Sequence, residues 1–482
     1  MERTLLFDCQ PGWTRAAVVE DGSLCELHLE QAKRESLTES LFYGRVMQIR
    51  PSVCAAFVDI GLALNAFLPL DEAGPQPLRC GDMLIVQGAA RQANDTKGLR
   101  VTTRINLAGQ TLVLVPGKEG VHVSKKIKNE ADRQALAEEA KSVCPPECGL
   151  IVRTASQDVT AERLEQEAGA LFEAWQEIKH RAAGMTRPGL LWASLPLEDR
   201  LIRDWAGKPV DRILTTSQAH AWRLKEQQAQ GILDSRIRIE WFEERGALLF
   251  DAFSVEEAID KALRRRVWLP GGGYLVIDIC EAMTVIDVNS GKMTLGKDIE
   301  ETALRVNLEA AREVARQIRL RNLSGMIVVD LIDMKPTENR EAVVQAFRQA
   351  VSCDSMPVKV LGITKLGLLE MTRKRKGESL HRQLCVSCTA CAGAGEMLSA
   401  EAAACSALRQ VRRLALPGQR GPFLVRCAPQ TAAALAACAN PLEADVYALG
   451  AGGRRPDRWD IEQPEAGAVP DGAKPLLHAE TE

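Results

Sequence analysis

The stretch from Gly271 to Gly377 constrains the fold more than any other part of the chain, because it alternates two hydrophobic periodicities. Gly273-Tyr274-Leu275-Val276-Ile277-Asp278 and Met283-Thr284-Val285-Ile286-Asp287-Val288 read as strands joined by a short link. From about Ile299 to Leu320 the apolar residues recur at helical spacing, with Leu304, Leu308, Ala311, Ala315 and Ile318 on one face. Asn322-Leu323-Ser324-Gly325 stops that helix, and Met326-Ile327-Val328-Val329-Asp330 is an apolar, β-branched strand. A second helix is expected from about Pro336 to Val351. Strands and helices alternating in this way imply an α/β domain.

Asp287 and Asp330 each end an apolar strand, where an α/β sheet presents its carboxyl edge and collects ligands. Two carboxylates converging there repel unless a cation sits between them. Oxygen ligands with positions left open suit Mg2+ or Mn2+ better than zinc. Asn289, two residues after Asp287, faces the same way along an extended chain and could orient a phosphate or a water; Asp333 lies just beyond Asp330. The bland alternative is that Asp330 only turns or caps a strand end.

Elsewhere the texture is different. Residues 2 to 30 alternate as short strands punctuated by Gln10-Pro11-Gly12 and Asp21-Gly22, a small antiparallel sheet. From Leu41 to Thr103 short strands with glycine turns continue, which suits a small OB-type barrel, a common platform for single-stranded nucleic acid. Phe57 and Phe67 could be stacking residues or barrel core. Around 105–200 the pattern is mixed: a buried strand at Gly149–Thr154 ends in a polar pair, and a helix from about Ala161 to His180 carries Leu164, Ala168, Leu171 and Trp175 on one stripe.

With 482 residues the chain is too long for one core, so three or more domains are expected. The formal net charge of −3 gives no global sign of a polyanionic partner, so any positive field must be local. Three basic runs exist, Lys125-Lys126-Ile127-Lys128, Arg264-Arg265-Arg266 and Arg373-Lys374-Arg375-Lys376, although such runs are often only solvated faces. The start lacks a signal-peptide core and no run approaches the ~18 apolar residues that span a bilayer. A cytoplasmic protein is therefore expected, with its fourteen cysteines reduced. Three of them cluster as Cys385-x-x-Cys388-x-x-Cys391 ahead of Gly393 and Gly395, the spacing of a metal knuckle. A closed zinc site needs four ligands. Either His381 completes this one, or two chains each donate a pair and form a zinc-linked dimer; a reduced loop without metal is the remaining alternative.

These motifs together resemble the ribonuclease E/G family. Thr284-Val285-Ile286-Asp287-Val288-Asn289-Ser290-Gly291 is similar to its "IDxNSG" element and Val328-Val329-Asp330-Leu331-Ile332-Asp333-Met334 to its "IDFIDM" element. Asn307-Leu308-Glu309-Ala310-Ala311, Arg316–Arg321 and Gly367–Arg375 continue the match, which covers nearly the whole chain. The resemblance implies a multidomain α/β (α+β) protein. It implies an RNase H-like subdomain in two parts (1–35 and 198–262), an inserted OB-fold RNA-binding domain (36–104) and a 5′-phosphate sensor (105–197). A DNase I-like catalytic domain (263–383), a zinc link (384–398) and a small C-terminal domain with a poorly ordered tail (399–482) would follow. Asp287 and Asp330 would hold Mg2+ with Asn289 in support, while Phe57, Phe67 and Lys97 would contact RNA. Leu68 stands where one branch of the family has a histidine. Gly109, Val113, Arg153 and Thr154 would bind a 5′-monophosphate, although Pro357 stands where a bracing basic residue is expected, with Lys359 nearby. Cys388 and Cys391 would be the pair that bridges two protomers through Zn2+, leaving Cys385 as an auxiliary thiol and the assembly a dimer or tetramer.

The implied activity is Mg2+-dependent hydrolysis of single-stranded, A/U-rich RNA, leaving 5′-phosphate and 3′-hydroxyl ends, in rRNA or mRNA processing and decay. Its rivals are a non-catalytic, zinc-linked RNA-binding scaffold and a DNase.

Overall fold

A computed structural model describes residues 2–31, 37–74, 77–90, 98–157, 159–291, 299–375, 377–389, 391, 393, 395–415, 422–438, 445–455, 457–465 and 468–476. The chain divides into two compact units, Met1–Leu384 and Cys385–Glu482.

The α/β expectation from the central stretch holds. Six strands form one mixed sheet: β1 (Arg266–Trp268), β2 (Tyr274–Ile279), β3 (Met283–Asn289), β4 (Gly325–Asp330), β5 (Val358–Ile363) and β6 (Leu368–Arg373), in the order β1-β2-β3-β4-β6-β5. β3 and β4 are parallel and are connected by α1 (Ile299–Leu320); α2 (Thr337–Val351) follows β4. Alternation gives the sheet two unlike faces. Leu275, Ile277, Ile286, Val288, Ile327 and Val329 point into a core closed by α1 and α2. Their neighbours in sequence point to the other face.

The helix stripe differs in detail from the periodicity reading. Leu304 and Leu308 only flank the core, whereas Ala303, Val306, Ala310, Ala311 and Val314 are fully covered. Small residues let a helix lie close on a sheet, so the most hydrophobic residues need not mark the contact line. α1 ends where Asn322 takes a φ of +47°, a left-handed conformation that asparagine tolerates. Its side-chain amide then donates to Glu378 O (2.9 Å) and accepts from Arg373 Nη1 (2.8 Å).

Other sheets in this unit draw on distant parts of the chain. Strand Arg3–Gln10 pairs antiparallel with Trp13–Glu20 and in parallel with Arg212–Thr215, giving a five-stranded sheet that also takes in Ser23–Gln31 and Arg238–Trp241. Strands Leu41–Arg50, Ala55–Asp59, Ala66–Pro69, Arg100–Thr102 and Met83–Ala90 follow one another in a sheet whose last strand pairs back with the first, a small barrel. A sixth strand, Gly189–Trp192, adds to Leu41–Arg50 from outside the 36–104 segment. Four residues after Pro188 carry too little alternation to mark it in advance. Strands Leu107–Ala108, Leu112–Pro116, Gly120–Val123 and Cys148–Val152 make a fourth sheet, packed by Glu130–Ser142 and Ala161–Gly184.

The second unit has a four-stranded sheet, Trp459–Glu462, Phe423–Cys427, Val446–Gly450 and Lys474–Pro475, with helices Ala400–Ala415 and Pro429–Ala436. Within the tail, Lys474–Pro475 is an edge strand and Leu476 is buried in the unit's core, while residues 477–482 lie outside the described residues. No helix among the described residues is long and apolar enough to cross a membrane.

Candidate active site

Asp287 and Asp330 are directly opposite one another in the β3–β4 register, and both side chains are exposed. Because Ile286, Val288 and Val329 face the core, the two aspartates share the uncovered face of the sheet. Asn289 lies two residues further on that face, and its Nδ2 donates to Asp287 Oδ2 at 2.7 Å. The three predicted residues are therefore brought together, on rigid strands rather than on loops. Asp333 is also exposed, beside Gly367, but lies past the end of β4.

A buried asparagine that the periodicity reading did not name holds the backbone beside this pair. Asn307 on α1 has no exposed surface. Its Nδ2 donates to Ile332 O (2.8 Å) and its Oδ1 accepts from Ile332 N (3.1 Å). This clamp fixes the backbone two residues beyond Asp330. A polar residue in the middle of an apolar helical stripe was the available signal.

Among the described residues no three His, Cys, Asp or Glu side chains gather to enclose an ion. Two exposed carboxylates and an amide would instead leave most of an ion's coordination to water, as Mg2+ prefers. The donor set fits such an ion and does not fit a closed zinc site.

On the barrel, Phe57 and Phe67 are register partners on adjacent strands, with ring centroids 6.1 Å apart and an interplanar angle of 79°. Neither belongs to the barrel core, which takes Ala56, Val58, Ala66 and Leu68. The guanidinium of Arg50 lies 5.5 Å from the Phe57 ring centre. Leu68 is fully buried, so in this chain that position points away from the aromatic pair. Lys97 lies outside the described residues.

The predicted phosphate-binding residues converge as well. Val113 pairs with Ile151 one strand away from the Arg153–Thr154 end of Cys148–Val152. Arg153 Nη1 donates to Gly109 O at 2.5 Å, and Nη2 lies 3.6 Å from Asp204. Burial pulls this guanidinium below its ordinary pKa, against the opposing charge of Asp204. Thr154 Oγ1 is 3.3 Å from Ser124 Oγ, a neighbour that the sequence did not single out. The Glu167 carboxylate accepts from Thr111 N (3.0 Å) and from Gln110 N, so a side chain on Gly109 would collide with Glu167 Oε1. Pro357 lines a depression of about 300 Å³ with Lys126 and Arg348 among its walls; Lys359 is not among them.

In the second unit, Cys388 is exposed and Cys385 and Cys391 are partly so. Backbone N–H groups of Gly395 and Gly393, together with the Cys388 thiol, hold the Cys391 thiol below its ordinary range. His381 falls in the first unit.

The model of the ribonuclease E/G family matches residues 106–376, which include both aspartates, Asn307 and the Arg153–Thr154 pair. Ribonuclease G of Escherichia coli (strain K12) is 35% identical over 90% of this chain and 92% of its own length. The chain belongs to the ribonuclease E/G family. Ribonuclease G of Haemophilus influenzae is 34% identical, over 88% of this chain and 90% of that protein. Ribonuclease E of Escherichia coli (strain K12) is 36% identical over 86% of this chain, but the match covers only 41% of that longer protein. Membership in the family places Asp287, Asn289 and Asp330 inside the segment its members share.

Proposed function

We propose that this member of the ribonuclease E/G family is an endoribonuclease that hydrolyses unpaired, A/U-rich RNA with Mg2+ held by Asp287 and Asp330. The observation that carries the reading is the register pairing of the two carboxylates on an exposed sheet face, braced by Asn289. Relatives named ribonuclease G and ribonuclease E support an endoribonuclease acting in RNA processing, with rRNA maturation and mRNA decay as the expected settings.

When bound, Mg2+ supplies Lewis acidity toward a phosphoryl oxygen and makes water acidic enough to attack, with Mn2+ as a chemical substitute. Asp287 and Asp330 provide the negative charge that recruits the ion. Asn289 fixes the Asp287 carboxylate through its 2.7 Å hydrogen bond, so that group need not reorganise during reaction. Water adds to phosphorus in line with the departing 3′ oxygen, which leaves as a hydroxyl while the phosphate stays on the 5′ end of the downstream product. Phe57 and Phe67 favour strands whose bases can splay out, because bases within a duplex cannot reach aromatic faces. Arg153 and Thr154 offer a guanidinium and a hydroxyl to a 5′-monophosphate.

Finer structural readings belong to the same proposal. The 3-2-1-4-5 strand order of the N-terminal sheet supports an RNase H-like subdomain, the closed small barrel an OB fold, and the sheet bearing the aspartates a DNase I-like catalytic domain. Cys388 and Cys391 of two protomers would supply four thiolates to one Zn2+, making a homodimer or a pair of dimers, with Cys385 outside the set. The expected location is the cytoplasm.

Cleavage of a 5′-monophosphorylated A/U-rich RNA in Mg2+, compared with EDTA and with duplex DNA of matched sequence, tests the reading. Internal cuts in RNA alone, abolished by EDTA, are expected. RNA binding without cutting would replace the hydrolase with a scaffold.

A further inference from the structure

The face that carries the aspartates does not stop at them. Register pairing runs Arg266↔Val276↔Asp287↔Asp330 across four strands, and beside it Trp268↔Tyr274↔Asn289 across three. Residues paired in this way share a face. Val267, between Arg266 and Trp268, packs against the core instead. Arg266, Trp268 and Tyr274 therefore stand on the same uncovered surface as the carboxylates, Tyr274 one strand from Asp287 and the other two residues two strands, about 10 Å, from it.

These side chains form a cluster. The Trp268 and Tyr274 ring centroids are 5.3 Å apart at 60°. The Arg266 guanidinium sits 4.5 Å from the Tyr274 ring centre and 5.8 Å from that of Trp268. Trp268 nevertheless keeps 62% of its surface exposed. Aromatics make up only 4% of the chain, so two of them in contact on the sheet face of the carboxylates is not what surface composition would place there. The neighbouring Arg265 is committed to Asp278, bonding it through both Nε and Nη2. Within the basic run Arg265 is thus tied to a carboxylate, whereas Arg266 is held against two rings.

We propose that Arg266, Trp268 and Tyr274 form a base-stacking subsite of the catalytic face, taking an unpaired nucleobase of the RNA strand next to the nucleotides whose phosphate lies at Asp287 and Asp330. The proposal rests on the reading of that face as an RNA-cleaving site. A large exposed indole gives any base a π-face, while an arginine at its flank attracts the adjoining phosphate and tolerates every sequence. Continuity with the carboxylate pair favours a nucleic-acid strand over a protein partner. The subsite would keep the strand on the sheet that carries the carboxylates.

Affinity for a single-stranded RNA carrying one abasic nucleotide, moved position by position, tests this in EDTA without cleavage. In the wild type an abasic nucleotide at one position should weaken binding on the order of tenfold. Trp268→Ala should weaken binding of intact RNA by a similar factor and lose all further sensitivity to that abasic site, while Trp268→Phe keeps most of both. The indole is exposed, so the melting temperature of Trp268→Ala should stay within a degree or two, typical of a surface change. Unchanged affinity and an unchanged abasic profile in Trp268→Ala overturn the subsite even if the wild type cuts RNA. The same is true if the variant instead changes oligomeric state with RNA affinity intact. A wild type that binds with this profile but never cuts would sink the hydrolase reading and leave the stacking site standing.

Discussion

Arg319, near the end of α1, is almost fully buried between two carboxylates of the N-terminal sheet. Its Nη1 is 3.1 Å from Glu20 and its Nη2 2.9 Å from Glu26, with side-chain exposures of 4%, 7% and 9% for the three groups. Burial works against the charged form of each glutamate. Arg319 with Arg3 overcomes it at Glu20, and His28 with Arg319 overcomes it at Glu26, so both carboxyls are held below the usual range. Arg319→Met keeps the volume and removes the charge. Breaking one partner out of a buried ion pair costs about 3–5 kcal/mol when the charge left behind is neither hydrated nor paired; Glu20 retains Arg3 and Glu26 retains His28, so the lower end of that range is expected. Urea denaturation of the full chain at pH 7.5, a pH at which carboxylates are ionised, should show a loss of that size.

The pH dependence has a definite sign. In the wild type, depressed folded pKa values give stability that is present above the unfolded value near 4.3 and is lost as pH falls through the folded values. In Arg319→Met, Glu20 keeps only Arg3 (3.1 Å) and Glu26 only His28 (3.3 Å) against burial, so both carboxyls move up from their wild-type values and the deficit should be largest at neutral pH and shrink as pH falls through the carboxylate range. Glu26→Gln added to Arg319→Met should recover part of the loss, whereas Glu20→Gln, which also takes the carboxylate from Arg3, should not. A deficit below about 1 kcal/mol, the range of an exposed pair, or one independent of pH, would refute the reasoning.

Asn307→Ala should cost about 1–3 kcal/mol, from two backbone groups of Ile332 left unpaired, and should lower kcat while RNA affinity stays near wild type; a variant with normal kcat would remove Asn307 from the positioning role. Phe57→Ala and Phe67→Ala should each weaken binding of single-stranded RNA by about 1–3 kcal/mol, read by fluorescence anisotropy, with little change for duplex. Cys388→Ser with Cys391→Ser should release bound zinc and shift the assembly toward monomer in sedimentation; an unchanged mass would place the thiols outside any subunit bridge.

How far the sequence carried the fold depended on what each residue could signal alone. The strands carrying Asp287 and Asp330 and the helix between them were readable, since period and β-branching are local properties. That the two aspartates meet in one register was not, because a strand does not name its partner. The same limit left Phe57 and Phe67 ambiguous between barrel core and surface until their pairing was seen. Arg373 shows the opposite case. Within a basic run it looked solvated, yet it is buried against Asp354 at 2.8 Å because it takes an inward position at the end of β6. Asn307 and Arg319 carry their meaning only through partners 25 and about 300 residues away, at separations no local pattern reports.

Cleavage measured alongside binding, for Asp287→Asn and Asp330→Asn against the wild type, bears most directly on the central claim. With 5′-monophosphorylated RNA in Mg2+, both variants should lose cutting by several orders of magnitude while RNA affinity changes little. Either variant cutting at a rate close to wild type would contradict the assignment of the paired aspartates as the catalytic metal site.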